Sequence, residues 1–125
     1  MKRTLILLLL PLVACKKEKK SVPADVAVYV KHHGTLIPGA KIYVKHNAAE
    51  FPGTDVGSYD DSATAGTEEH AKGHAHFEGL NAGTHYFYST GYDSTIMDEV
   101  MGGISLAIEE REEKQELTLD IPVTE

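Results

Sequence analysis

Apolar and polar positions alternate along most of this chain. Val26, Val28 and Val30 fall on one side of a period-two pattern, with Ala27, Tyr29 and Lys31 on the other. After a turn at His33-Gly34 and the segment Leu36 to Gly39, Ala40, Ile42 and Val44 oppose Lys41, Tyr43 and Lys45. Alternation with β-branched and aromatic enrichment marks half-buried strands, so both segments are expected to be strands paired as neighbours. The rhythm lapses from His46 to Gly73, a stretch rich in Gly, Asp, Ser, Thr and Ala. A structureless loop of that length is uncommon in a compact domain, and one short strand is expected within it, around Val56 to Tyr59. Alternation returns with Ala75 and Phe77 against His74, His76 and Glu78, followed by Leu80, a turn at Asn81-Ala82-Gly83 and a strand from His85 to Tyr92. Asp93 to Glu99 reads as a loop, Ile104, Leu106 and Ile108 as a further strand, and Glu109 to Gln115 as a charged turn. Leu117, Leu119, Ile121 and Val123 share one face of the last strand, which Pro122 places at a sheet edge. No window carries a helical apolar period. About seven short strands in roughly 100 residues predict an all-β sandwich.

The first residues follow a different pattern. Lys2 and Arg3 precede an apolar run from Leu5 to Val13, interrupted by Pro11. A helix needs about 20 apolar residues to span a bilayer, so this run has the length of a cleavable signal instead. Leu12-Val13-Ala14-Cys15 resembles the lipobox of bacterial lipoproteins. That resemblance implies cleavage after Ala14 and diacylglycerol on the sulfur of Cys15, with further acylation of the new amine. Two or three acyl chains suffice for stable anchoring, each buried methylene contributing roughly 0.8 kcal/mol. Cys15 is the single cysteine, so an exported chain has no internal disulfide to make with it. The expected organisation is a signal peptide over residues 1–14, a lipid-anchored linker over 15–25 and one domain over 26–125. The expected address is the cell envelope, at the outer membrane of a Gram-negative bacterium.

Charge narrows the partners. Loss of Lys2 and Arg3 with the leader takes the formal charge from −7 to −9. No basic face is available to neutralise phosphates, so nucleic acid is not an expected partner. Lys16-Lys17-Glu18-Lys19-Lys20 follows the anchor directly, either as a solvated tether or against anionic lipid headgroups.

The run Gly34-Thr35-Leu36-Ile37-Pro38-Gly39-Ala40-Lys41-Ile42-Tyr43-Val44 resembles the opening of carboxypeptidase-regulatory-like domains. Gly73-His74-Ala75-His76-Phe77-Glu78-Gly79-Leu80-Asn81-Ala82-Gly83-Thr84-His85 is similar to that family's second block, and Gly91-Tyr92 to the pair that closes its next strand. The resemblance implies an immunoglobulin- or prealbumin-like sandwich of seven strands, related to transthyretin-like and Cna B-type modules. It departs from the family at His85, where a tyrosine is usual, and at Ala71-Lys72, where acidic turn residues are usual. Gly79 and Gly83 permit positive φ in the turns. Such modules are mostly non-catalytic, and fold alone does not assign function. The Tyr-Arg-Gly-Ser ending of transthyretin-like hydrolases is replaced here by Ile-Pro-Val-Thr-Glu, and the only asparagines, Asn47 and Asn81, do not fall on the last strand where Cna B-type cross-links form.

Seven histidines in so small a domain are the chief candidates for chemistry. His70, His74 and His76 lie close to Glu68, Glu69 and Glu78, and on a strand His74, His76 and Glu78 project from one face. Two imidazoles at i and i+2 with a carboxylate can ligate a divalent metal such as zinc, nickel or copper. The alternative is a solvent-facing polar strand. His32 and His33 at a strand end and His46 at a loop start are expected to be exposed, and His85 to be a core or corner residue. Asp55, Asp60 and Asp61 lack the order of a calcium loop. There is no Gly-x-Ser-x-Gly and no recognisable nucleophile elbow, so no catalytic residue is assigned. Tyr86 and Tyr88 should face outward if His85 and Phe87 face in, as a protein- or sugar-binding patch or as cross-strand packing. The resulting expectation is a membrane-anchored, non-catalytic binding or accessory module without a resident cofactor, held to lipid at Cys15 and serving an envelope protein or glycan. A metal-binding protein using His70, His74 and His76 is the second reading, and an enzyme the third.

Overall fold

In the computed structural model, which describes residues 20–125, two four-stranded sheets stack as a β-sandwich. Cys15, the expected signal segment and the first part of the linker, residues 15–19, lie outside those residues. The first sheet is organised around β1 (Ala24–His32). One edge of β1 pairs in parallel with β8 (Glu116–Pro122), from Asp25↔Glu116 to Lys31↔Pro122. Its other edge pairs antiparallel with β5 (His74–Leu80) and then with the two-residue β2 (Thr35–Leu36). The second sheet runs in the order β4-β3-β6-β7, with β3 at Lys41–Lys45, β4 at Asp61–Thr64, β6 at Gly83–Asp93 and β7 at Asp98–Ile108.

The inward rows are those the alternation marks. Val26, Val28 and Val30 of β1, Ile42 and Val44 of β3, and Ile121 of β8 are all fully buried. Phe77 of β5 meets Phe87 of β6 edge to face across the sandwich, with ring centroids 5.6 Å apart. Burying each such side chain is worth roughly 1.5–3 kcal/mol. Gly79, at φ 70, carries a bulge that places Leu80 opposite Ala24 and returns it to the core.

Four features differ from the sequence-based expectation. The strands number eight rather than seven, because β2 forms a short ladder after the β1 turn. β1 and β3 are not neighbours: they lie in different sheets, since each alternating row faces the same core from opposite sides. Val56–Ser58 is a 3₁₀ turn rather than a strand, its start capped by the Asp55 carboxylate, which accepts from the Gly57 amide at 3.0 Å. The hidden strand lies just after it, as β4. Finally, β1 begins inside the expected linker, with Ala24 fully buried.

The last residues bind the two sheets together. Beyond β8 the chain crosses to β7, where Met101 and Thr124 exchange two backbone hydrogen bonds of 2.9 Å. Gly102 makes the crossing possible, because a Cβ there would collide with the Pro122 carbonyl. Val123 then donates its amide to the Lys31 carbonyl at 3.0 Å, bringing residues 123–125 beside the end of β1.

Candidate functional site

The inward row of β1 does not stop at Val30. The same parity carries His32, the last residue of the strand, to the end of the core, where it is only 3% exposed. On the facing sheet the inward row of β6 ends in the same way, at Asp93, also 3% exposed. The two meet across the sandwich: His32 Nδ1 lies 2.7 Å from Asp93 Oδ2. A carboxylate only accepts, so Nδ1 carries a proton and donates it, and in that neutral tautomer Nε2 holds a free lone pair. Asp93 Oδ1 accepts from the Thr95 hydroxyl at 2.6 Å and the Thr95 amide at 2.9 Å. The Thr95 hydroxyl first, then His32 and the Thr95 amide, hold the Asp93 carboxyl down at about 2 against the opposing effect of burial. The carboxylate is therefore fixed by donors on both oxygens.

Nε2 of His32 is buried and has no hydrogen-bond partner. It lies 3.5 Å from Oε1 of Glu125, too long and unaligned for a hydrogen bond. His33 sits beside it, with ring centroids 4.2 Å apart. His33 and Gly34 have φ of 49° and 79°, the two positive values of a type I′ hairpin turn, which joins β1 to β2 and fixes the position of the second histidine. Among the described residues, His32, His33 and Glu125 are the group whose potential metal-ligating atoms all lie within 4.8 Å of one another.

His32 thus corrects the expectation of an exposed residue. The signal was present, since it shares the parity of Val26, Val28 and Val30, but a polar residue at a strand end reads as solvent-facing. The expected His70, His74 and His76 cluster is arranged differently. His74 and His76 project from the outer face of the first sheet with ring centroids 5.3 Å apart, and His74 stacks on Tyr29 at 4.7 Å. His70 is exposed on the preceding loop, 3.7 Å from Glu68, and does not join a three-ligand group with them.

His85 is a corner residue. Its Nε2 donates to the Asn81 carbonyl at 2.7 Å, and its Nδ1 then accepts from His46 Nδ1 at 3.0 Å. An imidazole here makes the short backward bond that a tyrosine makes at comparable sandwich corners. Tyr86 and Tyr88 do face outward, yet Tyr88 is only 3% exposed. The loop after β3 folds over them: Phe51 packs 5.9 Å from Tyr86 and 5.3 Å from Tyr88, and Tyr59 stacks 5.7 Å from Tyr88. Tyr43 completes this layer, 6.1 Å from Tyr88. Phe51 remains half exposed at its rim. Asp60 and Asp61 turn to nearby amides, accepting from His46 and Ser62 at 2.7 Å each.

No protein-family model matches the chain, and no curated protein does either.

Proposed function

We propose that this protein is a lipid-anchored, non-catalytic binding module of the cell envelope, tethered at Cys15 to the outer membrane of a Gram-negative bacterium. Its sandwich is read as carboxypeptidase-regulatory-like, on the two sequence blocks that resemble that family. The observation that carries the binding role is the buried, unpartnered Nε2 of His32. An unsatisfied polar atom in the interior costs roughly 1–3 kcal/mol, and a ligand seated at the end of β1 removes that penalty. The direction of β1 supports the tethered arrangement. The strand runs from the linker side at Ala24 to His32, and nine residues at about 3.3 Å each separate the two by roughly 26–30 Å. Residues 15–23 add at most roughly 30 Å when extended, so the site works near the membrane on the end of the sandwich remote from the tether.

The test uses the full chain expressed in a Gram-negative host supplied with a clickable palmitate. The protein is expected to take the label and to sediment with outer membranes, and a Cys15→Ser variant to lose both properties. An unlabelled, freely soluble wild type would overturn the anchor. Hydrolytic turnover of any substrate in a broad panel, removed by one point change, would overturn the non-catalytic reading.

A further inference from the structure

We infer that His32 Nε2, His33 and Glu125 form a site for a divalent transition-metal ion of the zinc class. The inference rests on the binding reading above and names its ligand.

Distance is the first argument. The 3.5 Å between His32 Nε2 and Glu125 Oε1 is poor for a hydrogen bond. It suits two ligands of one ion, because tetrahedral bonds of about 2.0–2.2 Å set neighbouring donor atoms roughly 3.4 Å apart. The third donor lies within the same 4.8 Å compass. His33 and Glu125 are both exposed, so their side chains can close the remaining gap by rotating in solvent.

The surroundings of His32 supply a second, independent argument. A metal-ligating imidazole characteristically donates its other N–H to a carboxylate, which fixes the tautomer and raises the basicity of the ligating nitrogen. Asp93 stands in that place at 2.7 Å, and Thr95 orients its second oxygen. On the other side of the ring, Nε2 is buried and takes no hydrogen bond from the protein, which leaves it for an ion to occupy.

Ligand chemistry then selects the ion. Two imidazoles and one carboxylate suit zinc, nickel and copper, whereas calcium and magnesium favour oxygen donors throughout. The charges of Glu125 and Asp93 together balance a dication. With His32 buried and the other two donors at the surface, the ion sits at the mouth of the sandwich and keeps one position open to water or to a ligand brought by another molecule.

The experiment is a zinc titration of the full lipoprotein in detergent after chelator treatment, followed by calorimetry and by the absorption spectrum of a cobalt-substituted sample. The wild type is expected to bind one ion per chain with a tetrahedral cobalt spectrum. His33→Ala/Glu125→Gln alters only exposed side chains, leaves the core untouched, and should weaken binding by at least tenfold. His74→Ala/His76→Ala should bind as the wild type does. The inference is overturned if the wild type shows no saturable binding. It is equally overturned if the His74/His76 variant loses the ion while the His33/Glu125 variant keeps it. Neither result touches the palmitate label on Cys15, so failure of the metal and failure of the anchored reading are separately visible.

Discussion

Gly102→Ala tests how the two sheets are tied together at their open edge. The added methyl would collide with the Pro122 carbonyl and press on the Val123 backbone. Both belong to well-packed chain, so the segment 122–125 must move away from β7. Two backbone hydrogen bonds between Met101 and Thr124 are then lost, each 2.9 Å long in the native protein. At a net 0.5–1.5 kcal/mol apiece, they account for about 1–3 kcal/mol. Val123 is buried, and partial exposure of its side chain adds about 1 kcal/mol. The expected destabilisation is therefore about 2–4 kcal/mol, a fall in Tm of roughly 10–25 °C for a domain of this size. Urea unfolding measures the loss, and amide exchange localises it, because the Met101 and Thr124 amides should lose protection first. Gly79→Ala is the control: its φ is 70° but no atom lies within 4 Å of the added methyl, so only the left-handed backbone penalty of about 1–2 kcal/mol applies. The reasoning is refuted if Gly102→Ala costs no more than Gly79→Ala, or if protection of the Thr124 amide is unchanged.

Two further predictions concern the polar groups placed inside or against the core. His85→Leu removes the donor to the Asn81 carbonyl and the acceptor for His46. It should cost about 1–3 kcal/mol in urea unfolding, and a change below about 0.5 kcal/mol would show that the corner bond is dispensable. On the outer aromatic layer, burial first, and then the neighbouring Tyr88 and Tyr86, push the Tyr59 phenol from its ordinary value of 10.0 up to about 12. The fold thus favours the neutral phenol. That contribution is whole below pH 10 and is lost as the pH rises through about 12. Phenolate absorbance should show Tyr59 ionising last, together with release of the loop over Tyr88. A single titration step at the ordinary tyrosine value would count against the buried layer.

Much of this architecture is legible in the chain, and the reason is the period of the strand. Alternation tells which side chains share a face, so the rows Val26-Val28-Val30, Ile42-Val44 and Leu117-Leu119-Ile121-Val123 by themselves point to a two-sheet, all-β protein. The turn at His33-Gly34 is equally local, because two residues of positive φ are all that a type I′ hairpin requires. A face, however, does not name its partner. The parallel pairing of β1 with β8 joins opposite ends of the domain, and β1 and β3 look like neighbours in sequence although the core lies between them. Tyr86 and Tyr88 face outward as their parity requires, but only the tertiary fold of the loop over them decides that Tyr88 is covered. The candidate site divides along the same line. His32 shares the parity of Val26, Val28 and Val30 but reads as an exposed strand end, and Asp93 reads as the start of a loop; the fold makes both the buried last residues of inward rows. Their meeting across 61 residues, and the arrival of Glu125 beside them, depend on how two sheets stack and where the last segment crosses. Those are properties of the packed whole, because burial of both apolar faces sets them and no local propensity encodes them.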